Sequence, residues 1–119
     1  MGKRICVLED NESIREIIGF ILEEPDYEVK YFKNIKEFRQ GAYAFDANLF
    51  LLDVMLPDGN GLDLCCELKA DKATANMPIV MMSANFSDEA DYSRCNAEDY
   101  IHKPFDIYDF VSRVDAQMN

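Results

Sequence analysis

The sequence predicts an α/β domain, one five-stranded parallel sheet with helices on both faces. Three observations predict it. Short apolar runs recur along the chain, plainest at residues 4–8, 48–53 and 78–83, and each is the length of a buried strand rather than of a helix. Between them the apolar period changes, so that Ile14, Ile17, Ile18 and Ile21 stand at helical spacing. That strand-then-helix alternation repeats five times, which favours parallel pairing through right-handed crossovers.

The elements follow in order. Residues 4–8 form a buried strand that ends in Glu9 and Asp10, where its carboxyl end meets solvent. A helix starts near Asn11 or Ser13 and stops before Pro25. In the next strand Tyr27, Val29 and Tyr31 alternate with charged residues, the pattern of a sheet edge with one face partly wet. A weaker helix covers residues 35–43. Residues 48–53 are a second buried strand, followed by the turn Pro57-Asp58-Gly59-Asn60-Gly61 and a helix over residues 62–69. Residues 78–83 are a third. The polar segment 87–94 reads as a faintly amphipathic helix, and 98–102 as a short strand. Asp106 caps the last helix after Pro104, and Ile107, Phe110, Val111, Val114 and Met118 form its apolar stripe.

A chain of 119 residues has room for one domain, covering residues 1–119. Its formal net charge of -11 argues against gripping a nucleic-acid backbone, which needs clustered Lys and Arg. Cations and basic partner surfaces suit it better. No apolar stretch approaches the roughly 20 residues that span a bilayer, so no membrane association is expected. The opening "MGKRICVLED" is too soon acidic for a signal peptide, and Cys6 stands where a myristoylation motif wants Ser or Thr. Cys6, Cys65, Cys66 and Cys95 show no C-x-x-C spacing, so buried or idle free thiols are expected. Free thiols without an export signal favour a reducing cytoplasm.

At the carboxyl ends of the strands, where sheets of this kind collect function, stand Glu9 with Asp10, then Asp53, Ser83 and Lys103. A lone Asp at a strand end is more often a turn-former or a helix cap, and a lone Lys is usually a solvated charge. Independent caps, however, have no reason to put acids, a hydroxyl and an ammonium at four of five ends. Clustered carboxylates repel unless a cation sits among them. Mg²⁺ suits such a cluster because it takes oxygen ligands, including one or two carboxylates and a substrate phosphate. With phosphoryl charge neutralised by Mg²⁺ and Lys103, the Asp53 carboxylate can act as a nucleophile at phosphorus while Ser83 donates a hydrogen bond.

Over essentially its whole length the chain resembles the receiver domain of two-component response regulators, the CheY-like family. The resemblance rests on "VLEDNESIRE", "LLDVMLPDGNGLDL", "PIVMMSA" and "DYIHKPF", in that order and spacing. It implies a flavodoxin-like (βα)5 doubly wound sandwich with strand order 2-1-3-4-5. It also implies that Asp53 is the phosphoacceptor and that Asp10, Asp53 and the main-chain carbonyl of Met55 bind Mg²⁺, with Glu9 acting through a metal-bound water. Ser83 matches the family's switch hydroxyl, Tyr100 its switch aromatic, and Lys103 the residue that pairs with phosphoryl oxygens, before a Lys-Pro bond that is usually cis. Met55 and Asn85 match positions that tune the lifetime of the phosphoryl group.

The implied role is a phosphorelay switch rather than an enzyme acting on a separate substrate, with self-catalysed phosphotransfer and slow autodephosphorylation. Its implied partners are a sensor histidine kinase or a histidine phosphotransfer protein, an effector domain or partner protein downstream, and a second copy in a phosphorylation-dependent homodimer. The chain's extent leaves two readings open, a complete single-domain regulator or a receiver cut from a larger protein. The sequence departs from the family between residues 84 and 97, which is short and lacks the customary glycine before the fifth strand. There Asn96 is expected to supply a left-handed residue.

Other residues read more plainly. His102 is expected at the surface of the fifth strand, since the phosphohistidine of this chemistry belongs to the partner, and Met81 and Met82 belong to the core. An aspartate-nucleophile phosphohydrolase would want a second Asp where Met55 stands. A flavodoxin would want a hydroxyl- and glycine-rich phosphate loop where "EDNES" stands, and no P-loop motif is present.

Overall fold

The computed structural model describes residues 3–23, 27–84 and 95–118. In chain order its elements are β1 (Arg4–Leu8), α1 (Glu12–Glu23), β2 (Glu28–Phe32), α2 (Ile35–Gly41) with a 3-10 turn at Tyr43–Phe45, β3 (Leu49–Asp53), β4 (Met55–Leu56), β5 (Gly59–Asn60), α3 (Gly61–Ala70), β6 (Ile79–Ser83), β7 (Asp99–His102) and α4 (Ile107–Met118). Five strands form one parallel sheet in the order β2-β1-β3-β6-β7, while β4 and β5 make a small antiparallel ribbon of their own. Counting the main-sheet strands alone, this is the expected order 2-1-3-4-5. The expected helix over residues 87–94 and Asn85 lie outside the described residues.

The period of two along each strand divides the interior into two cores. Cys6, Leu8, Phe50, Leu52, Ile79 and Met81 face α2 and α3, where Phe38, Leu62, Cys65 and Leu68 complete the packing. Ile5, Val7, Leu49, Leu51, Val80 and Met82 face the other way, against Ile18, Ile21 and Leu22 of α1 and Phe110, Val114 and Met118 of α4. Strands buried on both faces must be apolar throughout, which is why they read as continuous runs. At the edge, Val29 and Tyr31 of β2 are only half-buried, as the alternation there predicts.

Two apolar stripes are narrower than their sequence patterns. Ile17 is 50% exposed and Ile107 is 51% exposed. In α1 the buried face centres on Ile18, Ile21 and Leu22, so Ile17 falls at its margin. In α4 the first turn carries Ile107 past the end of the core that Phe110 and Val114 fill.

Register levels the strand ends. Leu8 pairs with Leu52, Asp53 with Met82, and Ser83 with His102. The residues that follow β1 and β7, Glu9 and Lys103, therefore emerge beside Asp53 and Ser83 at one edge of the sheet.

Candidate functional site

Each strand end is held by its neighbour's backbone. The Glu9 amide donates to the carbonyl of Phe32 at 3.0 Å, Val54 to Met82 at 3.0 Å, and Lys103 to Ser83 at 3.0 Å. Continuing the ladder one residue past the strands fixes where the polar side chains start. Glu9 (1% exposed), Asp53 (4%) and Ser83 (3%) are thus polar groups buried at the rim of an apolar sheet.

An open cleft of about 690 Å³ lies over these ends, lined by Glu9, Asp10, Asp53, Met55, Ser83 and Lys103 among others. The six residues proposed from the sequence for phosphoryl and metal chemistry at this edge line one cavity. Lys103 Nζ stands 2.5 Å from Glu9 Oε1 and 3.2 Å from Asp53 Oδ2. Asp10 is exposed, yet Glu9, Asp10 and Asp53 each offer a carboxylate oxygen, and these oxygens lie within 4.8 Å of one another.

One ammonium does not neutralise three carboxylates so close together. Burial first, then repulsion from Glu9, pushes the Asp53 carboxyl up to about 7, against the opposing pull of Lys103. A hard divalent cation with oxygen preference would relieve that repulsion, so the donor set fits Mg²⁺. Asp10, exposed where Glu9 and Asp53 are buried, leaves the carboxylate cluster open to solvent on one side.

Tyr100, the expected switch aromatic, is buried at 4% exposure in the core shared with Cys95, Ala97 and Met81. Its hydroxyl points at the carbonyl of Ser83 from 3.5 Å, a long contact that ties the two residues loosely. Two residues along the same face, His102 is half-buried, with its ring edge-on to Tyr100 at 4.8 Å between centroids. The surface position expected for it is corrected on this point. Lys103-Pro104 is cis, as the resemblance implies, and Asn96 has φ 64, the left-handed residue expected in place of glycine.

Three supports escaped the sequence reading. The Arg15 guanidinium donates to the Glu9 carbonyl at 2.9 Å, and the Asn11 amide donates to Glu9 Oε2 at 3.2 Å, so the start of α1 orients the buried Glu9. Asp58, in the turn after β4, accepts the Ile35 and Lys36 amides at 2.9 and 3.0 Å and so joins the turn to the start of α2. Those backbone hydrogen bonds hold its carboxyl below the usual carboxylate range. Gly61 presses on Asp53 so closely that a Cβ there would lie 1.9 Å from the Asp53 carbonyl oxygen. Only the last left a sequence signal, the glycine itself.

For two cysteines the structure adds a pairing that the free-thiol expectation did not include. Cys66 on α3 and Cys95 before β7 stand side by side, with a Cα separation of 4.6 Å that suits a disulfide, while Cys6 and Cys65 are free and buried. Partners 29 residues apart carry no local spacing motif, so only the packing of α3 beneath the turn brings them together.

Comparison with known proteins agrees with this geometry. The family model described as "Response regulator receiver domain" matches residues 5–115. The chain is 36% identical over 118 residues to the transcriptional regulatory protein GltR of Pseudomonas aeruginosa, covering 97% of this chain and 48% of that protein. It is 35% identical over 121 residues to the phosphate regulon transcriptional regulatory protein PhoB of Escherichia coli, covering 99% of this chain and 52% of the relative. The chain thus spans about half the length of these relatives. Among solved structures, the response regulator protein TrrA of Thermotoga maritima in complex with Mg²⁺-BeF superposes with a TM-score of 0.87 at 27% identity, covering 97% of this chain and 98% of that one.

Proposed function

Because the chain belongs to the response regulator receiver domain family of two-component systems, we propose that Asp53 is its phosphoacceptor and that Glu9, Asp10, Ser83 and Lys103 serve the transfer. The single observation that carries the reading is the convergence of these groups on one cleft, with the Asp53 carboxylate buried beside the Lys103 ammonium.

In this reading an oxygen of Asp53 attacks the phosphorus of a phosphohistidine on a sensor kinase or histidine phosphotransfer protein. The phosphorus–nitrogen bond breaks, the imidazole nitrogen keeps the electron pair, and it takes up a proton. Lys103 exchanges part of its pairing with the carboxylates for a phosphoryl oxygen, and the Ser83 hydroxyl donates to another. Asp10 and Asp53, with the Met55 carbonyl, would hold Mg²⁺, and Glu9 would act through a water. When bound, the ion supplies charge neutralisation for the phosphoryl oxygens. In slow autodephosphorylation water attacks the same phosphorus, the bond to the Asp53 oxygen breaks, the carboxylate leaves with the electron pair, and inorganic phosphate is released, which resets the switch.

The output is a changed surface. Movement of the Ser83 hydroxyl toward a phosphoryl group would loosen the weak tie at its carbonyl and free Tyr100 to repack, a two-state element in which added charge biases the equilibrium. An effector domain, a partner protein or a second copy of the chain would read that change. The relatives named above are transcriptional regulators, which supports an effector beyond this domain. The net charge of -11 supports leaving nucleic-acid contact to such a partner. No described helix is long and apolar enough to cross a membrane, and a cytoplasmic setting accords with kinase partners.

The test is incubation with a small-molecule acyl phosphate and Mg²⁺, followed by intact-mass measurement of the parent and of Asp53→Asn. The parent gains one phosphoryl group only with Mg²⁺, and the variant gains none. An adduct of equal yield in the variant would move the acceptor elsewhere.

A further inference from the structure

We propose that Cys66 and Cys95 form a reversible dithiol–disulfide site, oxidised and reduced by low-molecular-weight disulfides and thiols, that staples α3 to the turn preceding β7. The pairing lies on the α3 face of the sheet, apart from the carboxylate cleft, and does not depend on Asp53.

The two cysteines of α3 have different surroundings. Cys65 is fully buried, and its thiol lies 3.9 Å from the carbonyl oxygen of Cys95, with burial pushing it up to about 11. Cys66, one residue on and about 100° around the helix, is only partly buried and meets the Cys95 sulfur. A small thiol or disulfide can therefore reach Cys66, whereas Cys95 is 5% exposed and Cys65 is sealed. Access at one sulfur and a partner already in place behind it are the two requirements of an attacking and resolving pair.

The contact between α3 and the turn does not need the covalent bond. Lys69 Nζ pairs with Glu98 Oε1 at 2.8 Å and donates to the Met77 carbonyl at 2.8 Å. Glu98 in turn accepts the Ile79 amide at 2.8 Å and donates its own amide to the Ile79 carbonyl at 2.8 Å. The dithiol form therefore keeps Cys66 and Cys95 adjacent, and oxidation locks an arrangement already formed. The lock holds the approach to Tyr100, five positions beyond Cys95.

Oxidation balances with a small disulfide as oxidant. The Cys66 thiolate attacks one of its sulfurs and releases one small thiol, leaving a mixed disulfide. The Cys95 thiolate then attacks the Cys66 sulfur and releases the second. Two protein thiols become one disulfide, one small disulfide becomes two thiols, and the two protons move with them. Reduction runs the same steps backward.

The experiment equilibrates the native chain in buffers of graded reduced-to-oxidised glutathione ratio, quenches with acid, alkylates under denaturing conditions and reads intact mass and cross-linked peptides. All four cysteines should be alkylated at the reduced end. Only Cys6 and Cys65 should be alkylated at the oxidised end, with a Cys66–Cys95 peptide. Cys65→Ala and Asp53→Asn keep the transition, while Cys66→Ser and Cys95→Ala abolish it. The oxidised chain should melt on the order of 10 °C higher than the reduced chain, since the bond closes a loop of about 30 residues. Four alkylated cysteines at every ratio, a bridge mapped to Cys65, a bond that excess glutathione leaves intact in the native chain, or equal melting points would each overturn the proposal. These readouts come from the parent chain, so they decide it even if a cysteine variant fails to fold.

Discussion

Lys103 Nζ lies 2.5 Å from Glu9 Oε1, with Glu9 1% exposed, so a lysine after the last strand neutralises a buried carboxylate after the first. The same ammonium reaches Asp53 Oδ2 at 3.2 Å. Three elements distant in sequence are therefore joined by one charge.

Replacing that charge isolates the effect. In Lys103→Met the buried carboxylates lose their cation, and breaking such a pair from one side costs about 3 kcal/mol. Chemical denaturation at pH 8 without Mg²⁺ should show that loss, and added Mg²⁺ should stabilise the variant more than the parent. Phosphoryl transfer from an acyl phosphate should fall about tenfold or more, because a donor to the phosphoryl oxygens is gone. A variant as stable as the parent in metal-free buffer would show that Lys103 is not what balances Glu9.

Asp53 makes metal-free stability depend on pH with a sign opposite to the ordinary acid. Its carboxyl is raised from 3.8 to about 7 in the folded chain, so between those values the folded state binds more proton than the unfolded state. The stabilisation is fully present below about pH 4 and is lost as pH rises through about 7. Relative to Asp53→Asn, the parent should lose stability steadily over that window in metal-free buffer, and the variant should be the more stable of the two at pH 8. Saturating Mg²⁺ should reverse the order at pH 8, since only the parent keeps the ligand. Parallel pH curves for the two proteins would exclude a raised Asp53.

How much of this was legible follows from which interactions are local. The sheet could be read because strands buried on both faces must be apolar, and the site because each run stops at a polar residue whose place the ladder then fixes. Asp58 could not be read as a partner of α2, since it reaches back 22 and 23 residues to Lys36 and Ile35. Cys66 and Cys95 were illegible for the same reason. Ile17 failed differently: helical spacing identifies a stripe, but the stripe's width depends on what α1 packs against, and Leu22 shifts its centre.

Tyr100 separates packing from switching. Its ring fills a buried position, so Tyr100→Ala should cost about 3–4 kcal/mol through the cavity it leaves. Its hydroxyl meets the Ser83 carbonyl at a long 3.5 Å, so Tyr100→Phe should cost under about 1 kcal/mol. Both effects are read by denaturant titration. Acyl-phosphate labelling of Asp53 should be unchanged in the phenylalanine variant, because the ring does not face the cleft. A large loss of labelling in Tyr100→Phe would place the hydroxyl in the transfer chemistry itself.

Two glycine substitutions in helices should act in opposite directions. At Gly61 an added Cβ would sit 1.9 Å from the Asp53 carbonyl oxygen, 2.9 Å from its carbon and 3.2 Å from the Val54 Cα, all main-chain atoms that cannot rotate away. The same residue donates its amide to the Val54 carbonyl at 2.7 Å, so relief requires either α3 or the end of β3 to move. Alanine's better helix propensity, worth about 1 kcal/mol, does not offset a clash of that depth. Gly61→Ala should lose about 3 kcal/mol and, by shifting Asp53 relative to Lys103, slow acyl-phosphate labelling as well. At Gly19 the nearest obstacle is the Tyr31 hydroxyl at 2.8 Å, the tip of a half-buried side chain on an edge strand. That tip can swing aside, so Gly19→Ala should be neutral or stabilising by up to about 1 kcal/mol, with labelling unchanged. Equal stability of the two variants would mean that the contact between Gly61 and Asp53 does not set the position of the carboxylate.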